Sequence, residues 1–151
     1  MIKNEKRYRI TRAQIRRFQD ALSELERQER PSNITPRLWQ AQYQAAQSQL
    51  RDLKEQVDAY ERLERGGSNE VVLAAVEDLP KALIRARIAA GMTQAGLARR
   101  LGLKTQQIQR YEATEYESAS FSRIRKVVEA LGLRMPKAAR LVREHLEPLR
   151  H

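Results

Sequence analysis

Lys104, Thr105, Gln106, Gln109 and Arg110 fall on one side of a short helical stretch whose other side carries Ile108 and Tyr111. A glutamine amide can pair with both N6 and N7 of adenine, and a guanidinium with O6 and N7 of guanine. That set, with no carboxylate in it, can meet base-pair edges without repelling the phosphates beside them. Other chemistry is sparse. There is no cysteine, so disulfides, thiolate metal sites and cysteine nucleophiles are excluded together. The two histidines are His145, which shares a helical side with Ala138, Leu141 and Val142 and reads as packed, and His151. Asp52/Glu55 and Glu61/Glu64 are carboxylate pairs at i,i+3, but among basic neighbours on a polar face they read as solvated surface rather than a metal site. No glycine-rich phosphate loop and no Ser/His/Asp arrangement occurs. The expectation is a non-enzyme with no catalytic residues, no metal and no cofactor.

The elements that would hold the Lys104–Arg110 face can be read around it. Thr93 caps a short helix in which Leu97 and Leu101 point one way, and Ala98 is small enough for a second helix to cross close by. Gly102 supplies a tight turn, and Leu103, Ile108 and Tyr111 are the apolar contacts of the second helix. Two short helices around such a turn make a helix-turn-helix, whose second helix enters the major groove of DNA. The charge supports a polyanionic partner. The 151-residue chain has a formal net charge of +10. From Leu79 to Glu112 stand Lys81, Arg85, Arg87, Arg99, Arg100, Lys104 and Arg110 against Glu112 alone, whereas Pro36–Arg65 balances its basic residues with acidic ones. Arg99 and Arg100 are expected to act on phosphates, through contact or field, and not on bases. Few aromatics lie outside apparent core positions, which argues against stacking-based single-strand RNA recognition.

Upstream, the chain reads as helix. Thr11 and Gln14 form a capping box, and Ile15, Phe18, Leu22 and Leu25 mark an apolar stripe running to about Glu29. Arg30–Asn33 breaks it. Thr35-Pro36 restarts a helix to about Arg65, with proline at N1. Its apolar positions Trp39, Tyr43, Ala46, Leu50, Leu53, Val57 and Tyr60 alternate steps of four and three, a heptad seam. At ~1.5 Å per residue this helix is roughly 45 Å long and its predecessor roughly 27 Å, so a hairpin leaves some seam bare. Trp39, Tyr43, Leu50, Leu53, Val57 and Tyr60 are therefore the expected oligomerisation residues of a homodimer; the alternative is a hairpin packed on its own globular domain. Gly66-Gly67-Ser68-Asn69 is the best linker. The expected division is residues 1–67, a helical hairpin or coiled coil for oligomerisation or partner binding, and residues 68–151, a DNA-binding domain. Val71-Val72-Leu73 is ambiguous, with helix preferred. Helices then follow over Leu79–Ala90, Gln94–Leu101, Thr105–Glu112, Ser120–Leu131 and from Pro136 to about Glu147. Gly91, Gly102 and Gly132 sit where a left-handed residue ends a helix. The fold class is all-α. No apolar run approaches the ~18 residues of a membrane span, and no secretory signal is visible, so a soluble cytoplasmic protein with no membrane partner is expected.

The segment from about Leu79 to Leu133 resembles the Cro/C1-type (XRE) helix-turn-helix family of phage repressors, bacterial regulators and antitoxins. The family's run Thr-Gln-x-x-Leu-Ala-x-x-Leu-Gly stands as Thr93-Gln94 through Leu101-Gly102, and the later Ile…Tyr-Glu and Ala130-Leu131-Gly132 also match. The resemblance implies a five-helix lambda-repressor-like domain in a bacterial or phage-like cytoplasmic regulator, with double-stranded DNA as partner. It makes Gln94 a phosphate contact at a helix N-terminus. It puts base contacts at Thr105, Gln106 and Arg110, with Lys104 and Gln107 as neighbours. It also pairs Arg87 with Glu112 as a structural link between helices. Gly96 departs from the family, which usually has a polar helix former there, at a cost of ~1 kcal/mol. The Tyr8–Thr11 block is weakly similar to extensions on some regulators and antitoxins. That leaves a second reading: an antitoxin that binds a toxin protein through the N-terminal helices and autoregulates its operon.

Overall fold

The computed structural model describes residues 1–66, 73 and 75–134. Within them all regular structure is helical: α1 (Glu5–Arg27), α2 (Pro36–Glu64), a 3₁₀ turn (Val76–Asp78), α3 (Leu79–Ala89), α4 (Gln94–Leu101), α5 (Thr105–Ala113) and α6 (Phe121–Ala130). The all-α expectation holds. The helix expected from Pro136, His145 and the Val71-Val72 pair lie outside the described residues.

The start of α1 differs from the expectation. Asn4, not Thr11, is the N-cap, and its Oδ1 accepts from the Arg7 amide at 2.9 Å. Thr11 lies inside the helix, buried, with its hydroxyl donating to the Arg7 carbonyl at 2.9 Å. A threonine can satisfy itself in this way on the carbonyl four residues back, so Thr followed by Gln need not mark a helix start. The extra turns lengthen α1 to 23 residues against 29 for α2, roughly 34 and 43 Å.

α1 and α2 pack along one another as a hairpin, and α2 continues onto α3. Tyr8 and Tyr60 stack with ring centroids 5.2 Å apart, and the Tyr8 hydroxyl donates to Glu61 at 2.7 Å. Val57 and Tyr60 are buried inside this single chain, so the seam's last two positions are not available to a second one. Tyr8, in the early turns of α1, covers Tyr60. Trp39, Tyr43, Leu50 and Leu53 remain half-buried. The core is continuous: Ile15, Val57 and Tyr60 join Leu83, Ile84, Ile88, Leu97, Ile108 and Val127 in one cluster, together with Ile2 from ahead of α1.

The short helices obey their caps. Thr93 Oγ1 accepts from the Gly96 amide at 3.0 Å, and Ser120 Oγ accepts from Arg123 at 3.2 Å. Gly102, at φ 65°, turns the chain so that the Leu103 amide reaches the Ala98 carbonyl at 2.8 Å, the closure that left-handed residues provide. After α5, Glu115 and Tyr116 are both left-handed (φ 49° and 61°), conformations that cost a side-chain-bearing residue about 1 kcal/mol or more. The turn delivers Tyr116 into the core, stacked on Tyr111 at 6.0 Å.

Candidate nucleic-acid interface

α4 and α5 cross at Leu97, Ala98 and Ile108, all with essentially no exposure. Burial of Ile108 and Glu112 fixes the roll of α5. At 100° per residue, that roll leaves Arg110 at the centre of the outward face with Gln106 beside it, Ala113 and Gln107 further out on either side, and Gln109 at the flank. Lys104, Gln106, Gln107, Gln109 and Arg110 are exposed and Thr105 is half-buried at the edge. The structure thus brings together, on one short helix, the residue types suited to base edges. Gln107 also braces the first turn of α5, where its side-chain Oε1 accepts from the Lys104 amide at 3.1 Å.

Behind this face lies a buried polar cluster. Glu112, wholly buried, accepts from Arg87 Nε at 2.5 Å and Nη2 at 2.8 Å, a bidentate pair between α3 and α5. Arg87 is also buried. Its Nη1 donates to the Met92 carbonyl at 2.7 Å and its Nη2 to the Lys3 carbonyl at 2.6 Å. Lys3 Nζ in turn donates to the Glu112 carbonyl at 2.6 Å. Among the described residues no buried side-chain nitrogen or oxygen lacks a partner.

Two expected phosphate contacts have partners within the protein, Gln94 buried and Arg100 still exposed. Gln94 is 8% exposed. Its Nε2 donates to Glu112 at 2.7 Å and its Oε1 accepts from Asn4 Nδ2 at 3.2 Å. Gln94 is therefore a joint between α4, α5 and the head of α1, and both ends of its amide are used. The reason is tertiary: Asn4 and Glu112 reach it from 90 and 18 positions away. Arg100 donates from Nη1 to the Ala130 carbonyl at 3.0 Å, a cation at the C-terminal end of α6 where the helix dipole favours it. Arg99 is exposed and outside any salt bridge among the described residues. Gly96 has a local reason: a Cβ there would lie 3.3 Å from both Met92 Cγ and the capping Thr93 Oγ1. The residues that sequence reading missed are Ile2, Lys3 and Asn4, whose contacts span most of the chain and leave no local signal.

A short helix, a three-residue turn and a second short helix with an exposed Gln/Arg face define a helix-turn-helix DNA-binding module. Residues 83–137 match the helix-turn-helix family model. The match takes in most of α3 and all of α4, α5 and α6, and the module is of the Cro/C1 (XRE) kind. In general terms the chain is a DNA-binding regulator. No curated protein and no solved structure gives a significant match. Among the described residues no helix is long and apolar enough to cross a membrane, and no group of three or more His, Cys, Asp or Glu is placed to hold a metal ion.

Proposed function

We propose that the protein is a sequence-specific regulator of transcription that reads the major groove of double-stranded DNA with α5. Gln106, Gln109 and Arg110 meet base edges, with Thr105 and Lys104 at the near margin and Arg99 facing phosphate. The observation that carries this is the roll of α5: Ile108 and Glu112 are locked inward, so the amide and guanidinium groups stand outward on a rigid support. A preformed face of this kind loses little freedom on binding. One module reads only a few base pairs, too few for a genomic address, and a two-fold dimer reading two half-sites meets that need. The half-buried strip of Trp39, Tyr43, Leu50 and Leu53 is where a second copy of this chain would pack.

The test is selection of duplexes from a random-sequence library with the full-length chain, followed by Gln106→Ala and Arg110→Ala. Each substitution is expected to cost about 1–3 kcal/mol on the selected duplex and to relax discrimination at one base position. If both variants bind the selected duplex like the parent, α5 is not read in this orientation.

A further inference from the structure

The head of α1 does more than close the core. Between it and α3 lies a cleft of about 1000 Å³, walled on one side by Lys6 and Arg7 and on the other by Lys81 and Arg85. Lys81 and Arg85 are i,i+4 on α3 and share a face. Gln109 and Ala113 also line the cleft, so it opens along one flank of the outward face of α5. Glu115 is the one carboxylate among its lining residues.

What sets this cleft apart is that its unpaired cations converge on one opening from two helices, whereas the next cations of α1 include Arg9 paired with Glu5 and Arg12 with Glu61. Lys6, Arg7, Lys81 and Arg85 are exposed, and none is in a salt bridge among the described residues. Four unneutralised cations facing one opening repel one another and focus a positive potential there. The loop leaving α5 carries exposed Glu115 and Glu117, which disfavour phosphate at that end of the helix. Within the cleft, Glu115 is outnumbered by the cations of α1 and α3.

We propose that this cleft is a second DNA-contacting surface, in which the first turn of α1 and the outer face of α3 hold the sugar–phosphate backbone alongside the bases that α5 reads. The proposal rests on the DNA-binding reading above and adds to it a phosphate clamp in which Lys6, Arg7 and Lys81 lie outside the helix-turn-helix match and Arg85 lies just inside it. Lys6 and Arg7 lie ahead of residue 83, where the match begins.

The experiment follows the binding of full-length protein to two duplexes of roughly 30 base pairs, one of random sequence and one selected by the protein, over a range of KCl. Each neutralised phosphate contributes about 0.9 to the slope of log K against log salt. Lys6→Gln with Arg7→Gln is therefore expected to lower the slope by roughly 2, and Lys81→Gln with Arg85→Gln likewise. Both pairs should weaken the two duplexes alike and leave their affinity ratio unchanged. Arg27→Gln with Arg51→Gln removes the same charge away from the cleft and is expected to leave the slope as it is. An unchanged slope in both cleft variants, or an equal fall in the Arg27/Arg51 control, overturns the clamp while leaving α5 as the reader. A parent protein that binds neither duplex overturns the DNA reading and the clamp with it.

Discussion

The backbone carbonyl of Lys3 accepts a hydrogen bond from Arg87 Nη2 at 2.6 Å, across 84 positions of sequence. The same guanidinium holds Glu112 on α5. The head of the hairpin and the helix-turn-helix module are thus joined through one buried cation. Gln94, bonded to both Asn4 and Glu112, makes the same connection a second time.

Removing Glu112 should be costly because it strands a buried guanidinium. Breaking a buried pair from one side typically destabilises by about 3–5 kcal/mol. Glu112→Ala is expected to fall in that range in urea denaturation, while the exposed Glu117→Ala stays within about 0.5 kcal/mol of the parent. A Glu112→Ala protein as stable as the parent would show that water solvates the Arg87 guanidinium.

A fragment beginning near Ser68 tests the shared core. It lacks Ile2, Val57 and Tyr60 from the core cluster and the Lys3 carbonyl from Arg87. It is expected to melt well below the full-length protein and to bind a selected duplex far more weakly. Equal melting temperatures would mean that the module's own helices suffice.

Sedimentation at tens of micromolar should show the full-length chain as a dimer, and Trp39→Glu, at a position outside the core cluster, should return it to monomer with the fold intact by circular dichroism. A monomeric parent would assign the half-buried hairpin strip to a different chain, such as the toxin of the antitoxin reading.

Tyr60 gives a pH signature. Burial, with Glu64 close by, pushes its phenol from 10.0 up to about 12. The unfolded chain loses this proton near 10 and the folded chain holds it, so the stability linked to Tyr60 is complete below pH 10 and is lost as pH rises toward 12. Absorbance titration near 295 nm should show Tyr60 ionising late, with the more deeply buried Tyr116 later still, and Tyr60→Phe should remove the earlier of these two steps; a Tyr60 that titrates with the exposed phenols would place it in water.

The module is legible in the sequence because its determinants are local. Thr93 and Gly102 act within a turn or two, and the spacing of Ile108 and Tyr111 marks the inward side of α5. The Arg87–Glu112 pair is implied by family resemblance, and the geometry supplies its bonds. What stays hidden depends on distant partners. Thr11 looks the same whether it caps a helix or back-bonds inside one. Gln94 looks the same whether it faces phosphate or Asn4. Val57 and Tyr60 fit a heptad seam equally well against a second chain or against α1. The hydrophobic period specifies that a face is buried and leaves open what buries it.

The bond between Lys3 and Glu112 also orders events during synthesis. The two residues are 109 positions apart, and a ribosome adding roughly 5–20 residues per second makes the later one roughly 5–20 seconds after the earlier. The hairpin, whose contacts need only the chain up to α2, is complete in sequence well before α5 leaves the ribosome. Arg87 emerges ahead of Glu112, so the Lys3 carbonyl is there to meet it before its carboxylate partner is, and the earlier-made head of the hairpin stands ready as a dock for α5.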